Sequence, residues 1–358
     1  MSVTLHDLSS VASLESRTQR RVRLAMGFCG MALAMLAVLS IARGAVSVPL
    51  GDLPRILFGA GEGVERHALI VMSIRLPRTI LVMLVGAALA LSGAIMQGLF
   101  RNPLADPGLV GVSSGAALAA GITIVLGDLI IGAKAGTLPF ALLPFGAFLG
   151  GLASTFLLYG IATRRGRTSI ATMLLAGIAL GALSGAMSGF LSFLSDDRQL
   201  RDLTFWALGS FAGASWTKVS AVVPVMFALA IGAPFLARGL NALAIGEAEA
   251  YHLGFRVQVI KGASIVLVAL AVGVSVAVAG VIGFVGIVVP HLVRLMLGAD
   301  HRSLLPLSAM GGAMLLTAAD LVARSVVAPA ELPIGIVTAA MGAPFFLWLL
   351  LRREMGID

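Results

Sequence analysis

Gly111-Val112-Ser113-Ser114-Gly115 is a stretch whose residue types and spacing could do chemistry. It fits the G-x-S-x-G pattern of a serine nucleophile. That pattern works where a sharp strand-to-helix turn lifts the hydroxyl out of an α/β sheet. Here it opens an apolar run of small residues, so it reads as a helix start. No H-E-x-x-H occurs, and no paired intramembrane carboxylates suggest a protease. G-x-x-x-x-G-K-[ST] is absent too, so the chain has no phosphate loop for ATP. The single cysteine, Cys29, can form neither an internal disulfide nor a Cys-based metal site. What remains are ionisable groups in apolar runs. His291 follows Pro290, and Asp320 lies near the end of another run. Such groups are functional candidates by default. A neutral imidazole can ligate haem iron or serve as a structural hydrogen-bonding group. Asp320 has a backbone group or an arginine as its natural partner.

The elements that carry these residues must be membrane helices. The chain is 358 residues long, 59% apolar and 12% charged, with a mean hydropathy of +1.02. Soluble domains are about 45–50% apolar and about 25% charged. Ten runs are candidates to cross about 30 Å of hydrocarbon: 22–42, 76–99, 107–127, 139–162, 169–194, 217–237, 259–280, 283–298, 304–323 and 335–351. The expected fold is one all-α polytopic membrane domain over residues 1–358. The net charge of +8 is spread between the apolar runs. It reads as an orientation signal and gives no nucleic-acid surface. With residues 1–20 as a cytoplasmic tail, fifteen Lys and Arg fall inside and ten outside, Lys134 among the latter. Both termini are then cytoplasmic. Loops 43–75 and 195–216 lie outside, and 238–258 lies inside. The first helix reads as retained, not as a cleaved signal.

Two patterns within these elements stand out. Gly177, Gly181, Gly185 and Gly189 recur every four residues and draw one smooth stripe on the fifth run. Small residues let membrane helices approach closely. The stripe therefore suits tight packing inside the subunit, or the wall of a pathway or subunit interface. The second pattern is Arg75-Leu76-Pro77-Arg78, an inward helix, and then Arg101-Asn102-Pro103 with Asp106-Pro107. The prolines break helix on either side of a tight polar turn.

From Arg75 to Ala116 the sequence resembles the permease subunits of ABC importers for iron-siderophores, haem and vitamin B12. The resemblance continues through Gly246-Glu247-Ala248-Glu249-Ala250-Tyr251-His252-Leu253-Gly254, which is similar to that family's coupling loop. It includes Gly283 to Arg294, Ala319 to Arg324 and Glu331 to Phe346. The stretch Thr204 to Trp216 resembles haem permeases more than vitamin B12 permeases. The resemblance implies the type II importer architecture: a homodimer of ten-helix subunits in the bacterial inner membrane. It implies two cytoplasmic ATPase subunits, so that ATP is bound elsewhere, and a periplasmic binding protein that delivers haem or another iron chelate as cargo. No resident cofactor or metal is implied, and no enzymatic activity for this chain. Arg75, Arg78 and Arg324 match arginines that dock the binding protein. Gly246, Glu247, Ala250, His252, Leu253 and Gly254 match the ATPase contact. The glycine stripe and His291 are candidates for the pathway.

Overall fold

A computed structural model describes residues 5–44, 46, 48–57, 65–131, 138–328 and 330–354. Lys134 lies outside these, and the side chains of Arg17, Arg352 and Arg353 are not among those described. The helices are α1 (Leu5–Ala42), α2 (Leu53–Leu57), α3 (Glu65–Ile70), α4 (Leu76–Leu99), α5 (Val112–Ile131), α6 (Leu138–Ala162) and α7 (Ile170–Leu194). They continue as α8 (Asp197–Leu208), α9 (Trp216–Ile245), α10 (Glu247–His252), α11 (Val257–Ala279), α12 (Val285–Leu297), α13 (His301–Ser325) and α14 (Ile334–Glu354). A two-residue hairpin, Thr163–Arg164 with Arg167–Thr168, joins α6 to α7. Among the described residues, seven helical stretches are long and apolar enough to cross a membrane, and three shorter apolar helices join them. The ten expected spans are all present as helices.

Two boundaries differ from the sequence reading, each for a physical reason. The second span was expected to start at residue 76, where its apolar run begins. The helical stretch instead begins at Glu65 and reaches Pro77 through a π-helical turn over Val71–Arg75. The sixth span was expected to stop at residue 237. It runs on to Ile245, because Gly239, Leu240 and Leu243 remain buried on the same helix face. The loop drawn at 238–258 therefore shrinks to one short helix, α10, between Gly246 and Arg256.

α4 is the axis of the bundle, with most of its residues buried, and α11 follows. α4 packs against α13, α9, α12 and α11. Lipid tails are as apolar as leucine, so burial of apolar surface does little to hold such helices together; close packing does. A side chain on Gly86 would strike the Gly312 backbone, and one on Gly93 would strike that of Gly286. These pairs seat α4 on α13 and α12. α7 and the part of α1 from residue 19 onward are outermost, with few buried residues.

Candidate functional site

The two ends of the bundle are built differently. At the α10 end, α9 stops at Gly246, and Glu247 starts the short helix. The Glu247 carboxylate lies 2.7 Å from Lys261 Nζ, which also donates to the Thr168 carbonyl at 2.9 Å. Gln258 Oε1 accepts from Thr168 N–H at 3.0 Å. α10 is thus clipped to the α6–α7 hairpin and to α11. Gly254 closes the loop at φ +87°, a conformation that L side chains avoid. Ile245, Tyr251 and Leu253 stand outward, with His252 beside them. Ala250 is fully buried, so it anchors α10 and presents nothing to a partner. The polar turn lies at this same end. Arg101 takes φ +49°, Asn102 Oδ1 accepts from Leu104 N–H, and Asp106 caps the short 3-10 helix Pro107–Val110 through Gly108 N–H at 2.6 Å. Loss of water pushes the Asp106 carboxyl above its usual range, against that Gly108 bond. Pro103 and Pro107 lie within this turn, which hands α4 over to α5.

At the α8 end, the three expected docking arginines are held inward. Arg78 Nε and Nη2 donate to Asp320 Oδ1 at 3.1 and 2.9 Å, and Nη1 donates to Glu331 at 2.7 Å. Arg324 Nε lies 3.0 Å from the other Asp320 oxygen, and Nη2 donates to Ser40 Oγ at 2.9 Å. Arg75 donates to the carbonyls of Ile41, Ala42 and Val46 at the end of α1. Two cations and two carboxylates thus close a neutral cluster across α4, α13 and the segment before α14. Its one open member is Glu331, with 36% of its side chain exposed against 9% for Arg78 and 1% for Asp320. The sequence reading had singled out the arginines and Asp320. It missed Glu331 as a partner, since 253 residues separate it from Arg78.

A backbone seam sits beside this cluster. Ser210 N–H donates to the Ala279 carbonyl at 2.8 Å, and Ile334 N–H donates to the Gly209 carbonyl at 3.0 Å. Side chains at Gly280 or Gly335 would strike the carbonyls of Trp206 or Leu208. The end of α8, the end of α11 and the start of α14 therefore meet main chain to main chain.

The glycine stripe lies on α7, and Gly181, Gly185 and Gly189 have no neighbour that an added Cβ would touch. Packing inside the subunit is thus excluded for these three; Gly177 is half-buried on the same helix. The exposed face continues with Ile178, Leu183, Phe190 and Phe193. His291 is buried on α12, edge-on to Phe345 of α14 with ring centres 6.4 Å apart.

The FecCD transport family model matches residues 32–352. The chain belongs to the FecCD transport family. Its apolar helices make it a multi-pass membrane protein, and its family makes it a permease subunit of the bacterial inner membrane. It is 45% identical over 340 residues to the hemin transport system permease protein HmuU of Yersinia pestis, covering 93% of this chain and 96% of that one. It is 45% identical over 291 residues to the vitamin B12 import system permease protein BtuC of Serratia proteamaculans (strain 568), covering 80% and 83%. A solved metal-chelate type ABC transporter in an inward-facing conformation matches with a TM-score of 0.78 at 32% identity, covering 92% of this FecCD chain and 99% of that one.

Proposed function

We propose that the chain is the membrane-spanning subunit of an ATP-driven importer that takes haem from a periplasmic binding protein and releases it in the cytoplasm by alternating access. The observation that carries the cargo is the similarity to the hemin permease, which extends over 93% of the chain. A cobalamin-type cargo is the second reading, because vitamin B12 permeases match at 45% identity over 291 residues and at 41% over 350. In this reading the α10 end is cytoplasmic, and so are both termini. The outward Ile245, Tyr251, His252 and Leu253 form the surface on which an ATPase subunit sits. Glu247, Gly246 and Gly254 hold that surface on its mount. Two copies pair so that the open glycine stripes of α7 face a shared pathway, where small residues leave room for a flat macrocycle. His291, buried edge-on to Phe345, serves as a packing residue.

Docking of the binding protein at the α8 end follows from exchange within the charge cluster. An incoming carboxylate takes the place of Glu331 on Arg78 Nη1, because Glu331 is the exposed acid and a charge-assisted hydrogen bond suits any carboxylate there. Proteoliposomes holding the chain with its ATPase and binding protein test the cargo. Uptake of haem should be fast, with ferric siderophore and vitamin B12 much slower. Fast siderophore or vitamin B12 uptake without haem uptake would overturn the haem assignment and leave the importer assignment standing.

A further inference from the structure

A groove of about 420 Å³ opens between α9 and α13 on the outside of the bundle, away from α7. Met226, Ala230 and Ala233 of α9 face Leu305 and Ala309 of α13 over Leu91 of α4. The apolar lining on α9 runs from Met226 to Ala237. At 1.5 Å per residue that is roughly 16 Å, about half of the ~30 Å hydrocarbon layer. The groove is one leaflet deep. Its inner limit lies near the membrane middle, and its mouth lies at the α10 end.

The mouth is cationic. Arg302 lines it and is exposed, and Arg238 is exposed one residue beyond the lining Ala237. α1 runs alongside α13 in the same direction: Gly30 lies against Met310, and Ser40 meets Arg324. Counting back from Gly30 at the helical rise brings Arg20, Arg21 and Arg23, all exposed, to the level of Arg302. The acid at this level, Asp300, is already engaged by Asn241 Nδ2 at 2.6 Å and by the Arg302 N–H at 3.0 Å. Pro306 brings no N–H to the Arg302 carbonyl, so the mouth also offers a hydrogen-bond acceptor.

We propose that this groove holds one acyl chain of an anionic phospholipid from the leaflet on the α10 side, with the headgroup phosphate in the arginine collar. The chain length, the apolar lining and the charge at one end select that occupant together. A neutral lipid would fill the groove and leave the collar unmatched. A soluble anion would match the collar and leave the groove empty. The seated lipid completes the seam of α1, α9 and α13, and it does not depend on which cargo the pathway carries.

The test is native mass spectrometry of the full chain with its ATPase, taken from nanodiscs of equal phosphatidylglycerol and phosphatidylcholine. The wild type should retain phosphatidylglycerol in preference. Arg302→Gln with Arg238→Gln alters two exposed positions and should lower that preference by about fivefold per arginine. Ala309→Trp fills the groove and should abolish retention; Ala309→Leu, a smaller change, should weaken it if the tryptophan variant does not fold. Equal retention of both lipids would overturn the proposal. So would retention unchanged by the groove variants, thermal stabilisation by inorganic phosphate alone, or a second polypeptide copy in the lipid's place.

Discussion

Asp320 holds two guanidinium groups while being 1% exposed. Removing one partner of such a buried set leaves an uncompensated charge, which costs about 3–5 kcal/mol. Asp320→Asn should therefore lower the thermal stability of the detergent-solubilised chain strongly. Glu331→Gln removes a partly exposed partner and should cost about 0–1 kcal/mol. The two substitutions should part company in binding. Glu331→Gln weakens the hold on Arg78 Nη1 and should tighten docking of the binding protein at low salt. The gain should shrink as salt rises, because screening acts over about 8–10 Å near physiological strength. Weaker docking of Glu331→Gln would show that the cluster is purely structural. The arginines were legible in the sequence because Arg75, Arg78 and Arg324 sit at the edges of apolar runs. Their partners were not, because pairing Arg78 with Glu331 requires knowing how three helices fold back on one another.

Glycines do opposite things on different helices. On α4, Gly93 faces the main chain of Gly286, so even one methyl group pushes α12 away. On α7, Gly185 faces open space in the single subunit. Gly93→Ala should therefore lower the yield of folded protein, while Gly185→Leu should fold and insert normally. If α7 lines the shared pathway, Gly185→Leu should also block transport, and Gly185→Ala should pass cargo. Normal import by Gly185→Leu would place that face against lipid. The every-fourth spacing on α7 was plain in the sequence, but its facing direction was not. The closest helix contacts fall on pairs such as Gly86 with Gly312, whose members have no sequence rhythm in common. The helices themselves were legible from hydropathy alone. The errors came at residue 76 and at residue 237, where a π-turn and continued burial overrode local signals.

The two ends of the molecule differ in how firmly they are tied, and in the proposed importer coupling must cross between them. α10 hangs from the rest through Glu247 to Lys261 and through the tight loop at Gly254. Changing Gly246, Glu247 and Gly254 together should leave the spans folded and separate ATP hydrolysis from transport. Stimulation of the ATPase by the loaded binding protein is the measurement. Transport at the wild-type rate would sink the coupling role. At the other end, α8, α11 and α14 are joined by main-chain atoms, with glycines where they touch. A joint of that kind carries no side-chain code. Trp206 and Leu208 contribute their carbonyls to it, which any residue would supply. The frame of the outer mouth can therefore stay fixed while side chains such as Phe205 and Trp206, which border a neighbouring cavity, are exchanged. Cargo preference then becomes an interchangeable fitting on a standard mount. Relatives that carry different chelates could be converted into one another by exchanging the α8 side chains while the three glycines stay in place.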